Sequence, residues 1–315
     1  MGPCRRFALI SVAGVASLLA ACVPVTQPQS PPATQRPPAL STPPQVSASS
    51  KALTKYYANL QADLLAQGLL RTDGGGPDTA FSAATLAQNF ETIAFFNEYT
   101  IGPLAARRDT TPGAVRRWGS PVRMSVQFGA SVPEDQKQLD STNVRLFAQR
   151  LNRVTQHPIS LSENKANFHV LFMGADDTDE LLAHVRRIVP NTNPTSLRIL
   201  TNMSRSTHCL MLGYPASDNP SDIRRAIVVI RSEHPDIIRK SCIHEELSQG
   251  LGLANDSPTA RPSIFNDDDE FAFLTTHDEM LLKMLYDPRL RLGMPLSIAR
   301  PVFERMAAEL TGGNS

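Results

Sequence analysis

Apolar residues follow two periods along the chain from about residue 50 onward, and the two periods predict both helices and strands. A spacing of three to four residues indicates amphipathic helices, and it occurs in segments 52–68, 82–96, 134–155, 179–189, 237–250 and 279–286. Alternating or continuous short apolar runs indicate strands, and these occupy segments 121–128, 159–162, 167–173, 208–214 and 226–231. Strands and helices that succeed one another in this order predict an α+β fold.

The stretch from Cys242 to Asp256 combines a predicted helix with clustered polar side chains. The helix begins near Cys242, or as early as about Ile237, and ends at two glycines, Gly250 and Gly252. Its apolar positions recur every four residues and predict a buried stripe: Ile243, Leu247 and Leu251. Glu245 and Gln249 are also four residues apart, so their side chains lie on one face. Such a face suits a metal or acid–base site, and it equally suits an ordinary amphipathic helix.

The first 21 residues have the pattern of an export signal. Arg5 and Arg6 precede an apolar run over residues 7–21 that is too short for an ordinary membrane helix. The run ends in Leu-Ala-Ala-Cys22, which resembles the lipobox of bacterial lipoproteins and implies cleavage before a lipidated Cys22. A plain secretory signal is the alternative. Because Val23 rather than aspartate follows, we expect a periplasm-facing anchor in the outer membrane.

Composition divides the remaining chain into a tether, a helical arm and a domain. Residues 22–50 are rich in Pro, Gln, Ser and Thr, so they predict an extended tether. We assign residues 51–112 to a helical arm and 113–315 to the main domain. The net charge is +1 without a basic stripe, so the sequence predicts no binding to nucleic acid.

The use of the four cysteines agrees with an exported protein. Cys4 is removed with the signal and Cys22 carries lipid, which leaves Cys209 and Cys242. Two remaining cysteines in an oxidising compartment predict a disulfide between a strand and the start of the central helix. Two free buried thiols are the alternative.

Three motifs near the end of the chain resemble a known family. They are Glu-Glu-Leu-Ser-Gln-Gly-Leu-Gly-Leu-Ala-Asn-Asp (245–256), Pro-Ser-Ile-Phe-Asn-Asp (262–267), and Leu-Thr-Thr-His-Asp (274–278) followed by Leu-Leu-Lys-Met-Leu-Tyr-Asp-Pro-Arg-Leu (281–290). Over about residues 115–295 the chain resembles the DUF2927 family, a bacterial family of unknown function. The same region is similar in layout to the metzincin metallopeptidases, which implies a zincin-like domain with a mixed sheet and a central helix.

The metzincin resemblance implies a site whose zinc ligands have been replaced. Aligning on Gly252 places Glu245, Gln249 and Asn255 where three histidine ligands would stand and Glu246 where the general base would stand. Phe265 takes the position of the methionine below the metal. Oxygen donors of this kind suit a hard cation better than zinc. In a second register His244 is the first ligand and Glu245 the base.

We therefore expect a membrane-anchored lipoprotein with a degenerate metallopeptidase-like domain that binds a peptide or another envelope component without catalysis. In this interpretation no cofactor is expected. The alternative is a peptidase or amidase that uses zinc or another divalent cation at Glu245, Glu246 and Gln249. A third hypothesis is a structural envelope protein whose cleft has no ligand.

Overall fold

The computed structural model describes residues 46–101, 106–109 and 111–312. The predicted signal peptide, the lipidated Cys22 and most of the predicted tether lie outside these residues. The helices are α1 (Ala48–Ala66), α2 (Ala83–Phe95), α3 (Glu134–Thr155), α4 (Thr178–Ile188), α5 (Pro194–Thr201), α6 (Asp236–Gln249), α7 (Thr276–Tyr286) and α8 (Leu296–Leu310). The strands are β1 (Asn97–Ile101), β2 (Ala106–Asp109), β3 (Val122–Phe128), β4 (Ile159–Leu161), β5 (Phe168–Met173), β6 (Cys209–Pro215) and β7 (Ile223–Arg231). Within the described residues no helix has the length and apolarity needed to cross a membrane.

Five strands form one mixed sheet in the order β4-β3-β5-β7-β6. The first four are parallel to one another, and β6 runs antiparallel to β7 at the edge. The central register aligns Val126 with Val170 and Val170 with Val228. Because central parallel strands are covered on both faces, β5 and β7 read as nearly continuous apolar runs in the sequence.

Alternate residues of β5 and β7 point into two different cores. One face contributes Phe168, Val170, Phe172, Val228 and Ile230 to the main core, which also contains buried residues of α2, α3, α6, α7 and α8. The opposite face contributes Leu171 and Ile227 to a second core. Helices α4 and α5 cover this core with Leu181, Val185 and Leu200. This layering confirms the predicted α+β class, and it places α6 on the main-core side of the sheet.

Most predicted elements are confirmed, and the differences have physical reasons. Helix α3 spans Glu134–Thr155 as predicted, and Ser82 caps α2 by accepting a hydrogen bond from the N–H of Thr85 (3.1 Å). Helix α6 begins at Asp236, so the later start near Cys242 is wrong. The helical period of α3 places Leu139 on its apolar side, but this side chain is 42% exposed.

The periodicity did not predict the β1–β2 pair or the helices α5 and α8. Helix α8 contains Pro301, a residue that normally argues against a helix interior, and its buried face packs onto α2 and α7. Helix α5 has only 8 residues, too few for a clear period.

Candidate functional site

Helix α6 carries the predicted site residues on two of its sides. Strand β7 leads into it across only four residues, so the position of α6 follows from the sheet. The predicted stripe is confirmed, because Ile243, Leu247 and Leu251 are fully buried in the main core. Glu245 and Gln249 are half-buried and share another side, as their i, i+4 spacing requires. The structure therefore brings these two candidates together on the face turned away from the stripe.

The two glycines after α6 allow a close passage of the chain. The carbonyl oxygen of Gly250 accepts a hydrogen bond from Nε1 of Trp118 (2.8 Å). Gly252 has φ +125°, and a Cβ there would overlap the carbonyl oxygen of Arg116. The hydroxyl of Tyr286 donates to the carbonyl oxygen of Leu251 (2.9 Å). These contacts fix where α6 ends. The contact of Trp118 with Gly250 joins distant parts of the chain, so the residues around Trp118 in the sequence do not predict it.

His244 lies inside the fold rather than on the face of Glu245. Its ring stacks on Phe147 with the centroids 4.0 Å apart and contacts Phe273 at 4.9 Å. Its Nδ1 accepts a hydrogen bond from the N–H of Leu274 (3.0 Å). Burial first, and then the positive charges of Arg150 and Lys240, lower the pKa of His244 well below its ordinary value.

The ring of His244 is therefore neutral, with Nδ1 as acceptor and the proton on Nε2. In this tautomer the one available nitrogen lone pair is already used by a backbone amide. Metal coordination by His244 would have to replace that hydrogen bond, so the second register stays a prediction that this geometry does not favour.

Glu245 and Glu246 lie beside the first residue of β6. A carboxylate oxygen of each and the Sγ of Cys209 are all within 4.8 Å of one another. Glu246 is only 4% exposed. Cys209 is bonded to Cys242, which confirms the predicted disulfide and ties the edge strand to α6. Because the sulfur is oxidised, it offers neither a thiolate ligand nor a nucleophile.

Asn255, the third candidate in the first register, holds the chain after α6 against α2. Its Nδ2 donates to the carbonyl oxygen of Thr92 (3.0 Å), and its backbone N–H donates to that of Ile93 (3.2 Å). Both contacts join it to the last turns of α2. The structure thus shows a connecting role for the amide nitrogen of Asn255.

Asp278 organises the turn that precedes α7. Its carboxylate accepts hydrogen bonds from the hydroxyl of Ser263 (2.6 Å) and from the N–H groups of Ile264 and Thr275 (both 3.0 Å). Thr275 and Asp278 form a capping box at the start of α7, so Thr275 rather than Thr276 is the cap. Burial raises the pKa of Asp278, but hydrogen bonds from His277, Ser263 and Thr275 outweigh this and lower it.

The turn places Phe265 in the interior. Phe265 is fully buried in the main core, and its backbone N–H donates to the hydroxyl oxygen of Ser263 (3.0 Å). Its carbonyl oxygen accepts from the N–H of Ser257 (2.7 Å). The turn and the segment after α6 are therefore fixed to each other by backbone hydrogen bonds.

The family comparison covers most of this architecture. A family model described as "Protein of unknown function (DUF2927)" matches residues 83–305. The chain belongs to this family. The match extends beyond the motif-bearing region 115–295 in both directions, and it includes α2 while leaving α1 outside. No curated protein and no solved structure matches the chain.

The donor set of this DUF2927 domain does not fit zinc. Within the described residues, the group of His, Cys, Asp or Glu side chains that approaches ligand spacing consists of Cys209, Glu245 and Glu246. Its sulfur is in a disulfide, and its other donors are carboxylate oxygens, whereas catalytic zinc favours imidazole nitrogen. We derive no catalytic step through a metal from these residues.

Proposed function

We propose that this DUF2927 protein is a lipid-anchored protein of the cell envelope whose folded domain binds a peptide or peptide-like envelope component without cleaving it. The anchor rests on the lipobox-like Leu-Ala-Ala-Cys22 and the Pro-rich tether behind it. The binding role rests on one observation, the two carboxylates of Glu245 and Glu246 beside the start of an edge strand.

Strand β6 supports the peptide part of the proposal. It is the last strand of the sheet order, so its outer backbone groups border no further strand among the described residues. An extended peptide can add to such an edge through main-chain hydrogen bonds. Because β6 begins at Cys209, a peptide along this edge passes the carboxylates of Glu245 and Glu246.

The carboxylates define the chemistry of the ligand. Two acidic groups within 4.8 Å favour a ligand that brings a positive charge to them. We therefore expect the bound segment to present an ammonium or guanidinium group, as a lysine or arginine side chain or a free amino group would. Glu245 is half-buried, so its carboxylate is the one that such a group can reach from solvent.

The proposed absence of catalysis rests on the same geometry. His244 uses its Nδ1 lone pair for the Leu274 amide, and Cys209 and Cys242 are bonded to each other. A zincin-like ancestry remains part of the proposal. It is supported by the mixed sheet, the central helix α6 and the Thr275-capped α7, which follow the layout that the metzincin resemblance implies.

Fluorescent peptides test the proposal on the chain from about residue 46 onward, which keeps Ser47, the cap of α1. Peptides of equal length carry lysine, alanine or glutamate at a central position, and anisotropy measures their dissociation constants. We expect saturable binding that prefers lysine, weakens as salt rises, and falls roughly tenfold in Glu245→Gln. The matched control is Glu304→Gln, which removes an exposed carboxylate from α8 and should leave binding unchanged.

Mass spectrometry of the same mixtures decides between binding and hydrolysis. Intact peptide after prolonged incubation agrees with the proposal, and cleavage that disappears in Glu246→Gln would overturn it. If no peptide of the set binds at any salt concentration, the ligand-free structural hypothesis replaces ours.

A metal-dependent hydrolase is the second candidate, and the closeness of the Glu245 and Glu246 carboxylates is the observation that favours it. Elemental analysis of protein purified without chelator separates the two candidates. Our proposal predicts less than a tenth of an equivalent of any transition metal, whereas about one equivalent, lost in Glu245→Ala, would favour the hydrolase.

A further inference from the structure

A cleft of about 380 Å³ lies where β6 joins β7, at the edge of the sheet. Val189, Tyr214 and Pro215 form an apolar part of its wall, and Arg224 and Arg225 contribute two guanidinium groups. Pockets for small molecules have volumes of about 300–1,000 Å³ and combine apolar walls with a few placed polar groups. The cleft therefore has the size and the lining of a site for a small organic molecule.

An irregularity in the β6–β7 ladder brings the two arginines to the same cleft. Tyr214 is opposite Arg225, but the next residue of β6, Pro215, is opposite Ile223. Arg224 is thus an extra residue in β7, which is the definition of a β-bulge. Neighbouring residues of a regular strand point to opposite faces of the sheet. The bulge changes the direction of one side chain, so Arg224 and Arg225 both line the cleft although they are adjacent in sequence.

Contacts with the fold hold both guanidinium groups in place. Nη2 of Arg224 lies 2.7 Å from Oδ2 of Asp222, whose Oδ1 accepts a hydrogen bond from the N–H of Gly119 (2.9 Å). Nη1 of Arg225 donates to the carbonyl oxygen of Ile188 at the end of α4 (2.5 Å). Both arginine side chains are also exposed. Because a guanidinium has five N–H donors, each arginine can still bind an oxyanion in a position that is already fixed.

The charges around the cleft favour an anionic ligand. The hydrogen bond of Arg225 goes to a neutral carbonyl oxygen, so this contact does not compensate its charge. Arg186 and Arg187 lie exposed in the last turn of α4, directly before the carbonyl that Arg225 contacts. Asp222 pairs with an arginine, and Asp218 lines the cleft. Four arginines against two aspartates leave a positive excess, which raises the local concentration of anions.

We propose that this cleft, here called the arginine cleft, binds a small organic molecule that carries a carboxylate or phosphate group on an aromatic or other apolar body. The oxyanion accepts hydrogen bonds from Arg224 and Arg225, whose planar forks match its geometry. The apolar body lies against the wall formed by Val189, Tyr214 and Pro215.

The arginine cleft is separate from the carboxylates of α6. Glu245 and Glu246 lie beside Cys209, where β6 begins, whereas the cleft lies where β6 ends, at Pro215. The 7 residues of β6 span about 20 Å. The proposal therefore does not rest on peptide binding beside β6, and either site can be refuted without the other.

Ligand-observed NMR titrations of the full chain test the proposal with four probes. Phenyl phosphate and benzoate carry an oxyanion on a ring, benzamide carries the ring without the charge, and inorganic phosphate carries the charge without the ring. We expect phenyl phosphate or benzoate to bind with a dissociation constant below about 1 mM, at least roughly tenfold more tightly than benzamide or inorganic phosphate. Whichever of the two binds more tightly shows whether the cleft prefers phosphate or carboxylate.

Arg224→Gln is the main variant, because Arg224 is 53% exposed and its replacement should leave the fold intact. It should weaken binding of the charged ring probes at least roughly tenfold, and Arg225→Gln should do the same. The matched control is Arg300→Gln. Arg300 is 49% exposed and pairs with Glu91, much as Arg224 pairs with Asp222, so its replacement should leave binding unchanged.

Asp218→Asn gives a measurement with the opposite sign. Removing this negative charge from the lining should tighten binding of phenyl phosphate or benzoate roughly threefold and leave that of benzamide unchanged. A folded Arg224→Gln chain that binds these probes like wild type would overturn the proposal. So would benzamide binding as tightly as benzoate, or no binding of either charged ring probe at about 10 mM.

Discussion

Replacing His234 by glutamine should reduce the loss of stability that the protein undergoes in mild acid. His234 is 2% exposed and its Nε2 donates to the carbonyl oxygen of His208 (2.8 Å). Burial lowers the pKa of His234 to about 3. The hydrogen bond to His208 opposes this, and the charges of His208, Arg231 and Arg239 add to it. The buried ring is thus neutral in the folded state and charged in the unfolded state at the same mildly acid pH.

The sign and size of the effect follow from linkage. With a pKa near 6.5 in the unfolded chain, the unfolded state binds the extra proton first, so stability is full above that pH and falls as pH is lowered toward 3. For one such group the free energy of unfolding at pH 5 is lower than at pH 7 by about 2 kcal/mol. Glutamine can still donate to the His208 carbonyl but does not titrate, so His234→Gln should lose this contribution.

Urea unfolding of both proteins at pH 7, 6 and 5 measures the difference. The stability gap between wild type and variant should change in favour of the variant by about 2 kcal/mol over that range. Any destabilisation by glutamine that does not depend on pH cancels when the stability gaps at different pH are compared. The contributions of titrating groups that both proteins share cancel within each gap. A gap that stays constant from pH 7 to pH 5 would refute a buried neutral His234.

Three further changes should reduce stability in urea unfolding. Asp140→Ala removes the buried carboxylate at 2.7 Å from Arg239, leaves this buried guanidinium paired with the exposed Asp236, and should cost about 3–5 kcal/mol; a cost below about 1 kcal/mol would contradict this. Gly252→Ala forces a Cβ against a backbone carbonyl at φ +125° and should cost at least about 2 kcal/mol, so an unchanged midpoint would contradict the described turn. Joint replacement of Cys209 and Cys242 by serine opens a loop of 33 residues and should lower the free energy of unfolding by about 4 kcal/mol. Reductant should then destabilise the wild type but leave this variant unchanged.

The sequence predicted those parts of the fold in which one local pattern decides the structure. Helix α3 has a clear 3.6-residue period over 22 residues, and its bounds were correct. Strand β5 and the run from Ala226 to Ile230 in β7 were recognisable because burial on both faces leaves few polar positions there. Helix α8 was missed because Pro301 argues locally against a helix, whereas packing against α2 and α7 stabilises it. Tertiary contacts outweigh propensity there.

The sequence predicted the candidate site only where helix spacing or the number of cysteines determines the structure. The side of α6 shared by Glu245 and Gln249 follows from their spacing alone, and the disulfide follows from the count of remaining cysteines. The contacts of Trp118 with Gly250 and of Tyr57 with His234 join residues more than 100 positions apart, and no local pattern encodes them.

The geometry of α6 also separates the two ligand registers that the sequence left open. Neighbouring residues of a helix point about 100° apart, a difference that long side chains can bridge, so the contacts of His244 and Glu245 decide which side each one faces. His244 packs between Phe147 and Phe273, while Glu245 is half-buried on another side. Replacement of His244 should therefore affect stability first, and replacement of Glu245 should affect ligand binding first. The side of the helix, more than the residue type, decides which of two adjacent motif residues can take part in function.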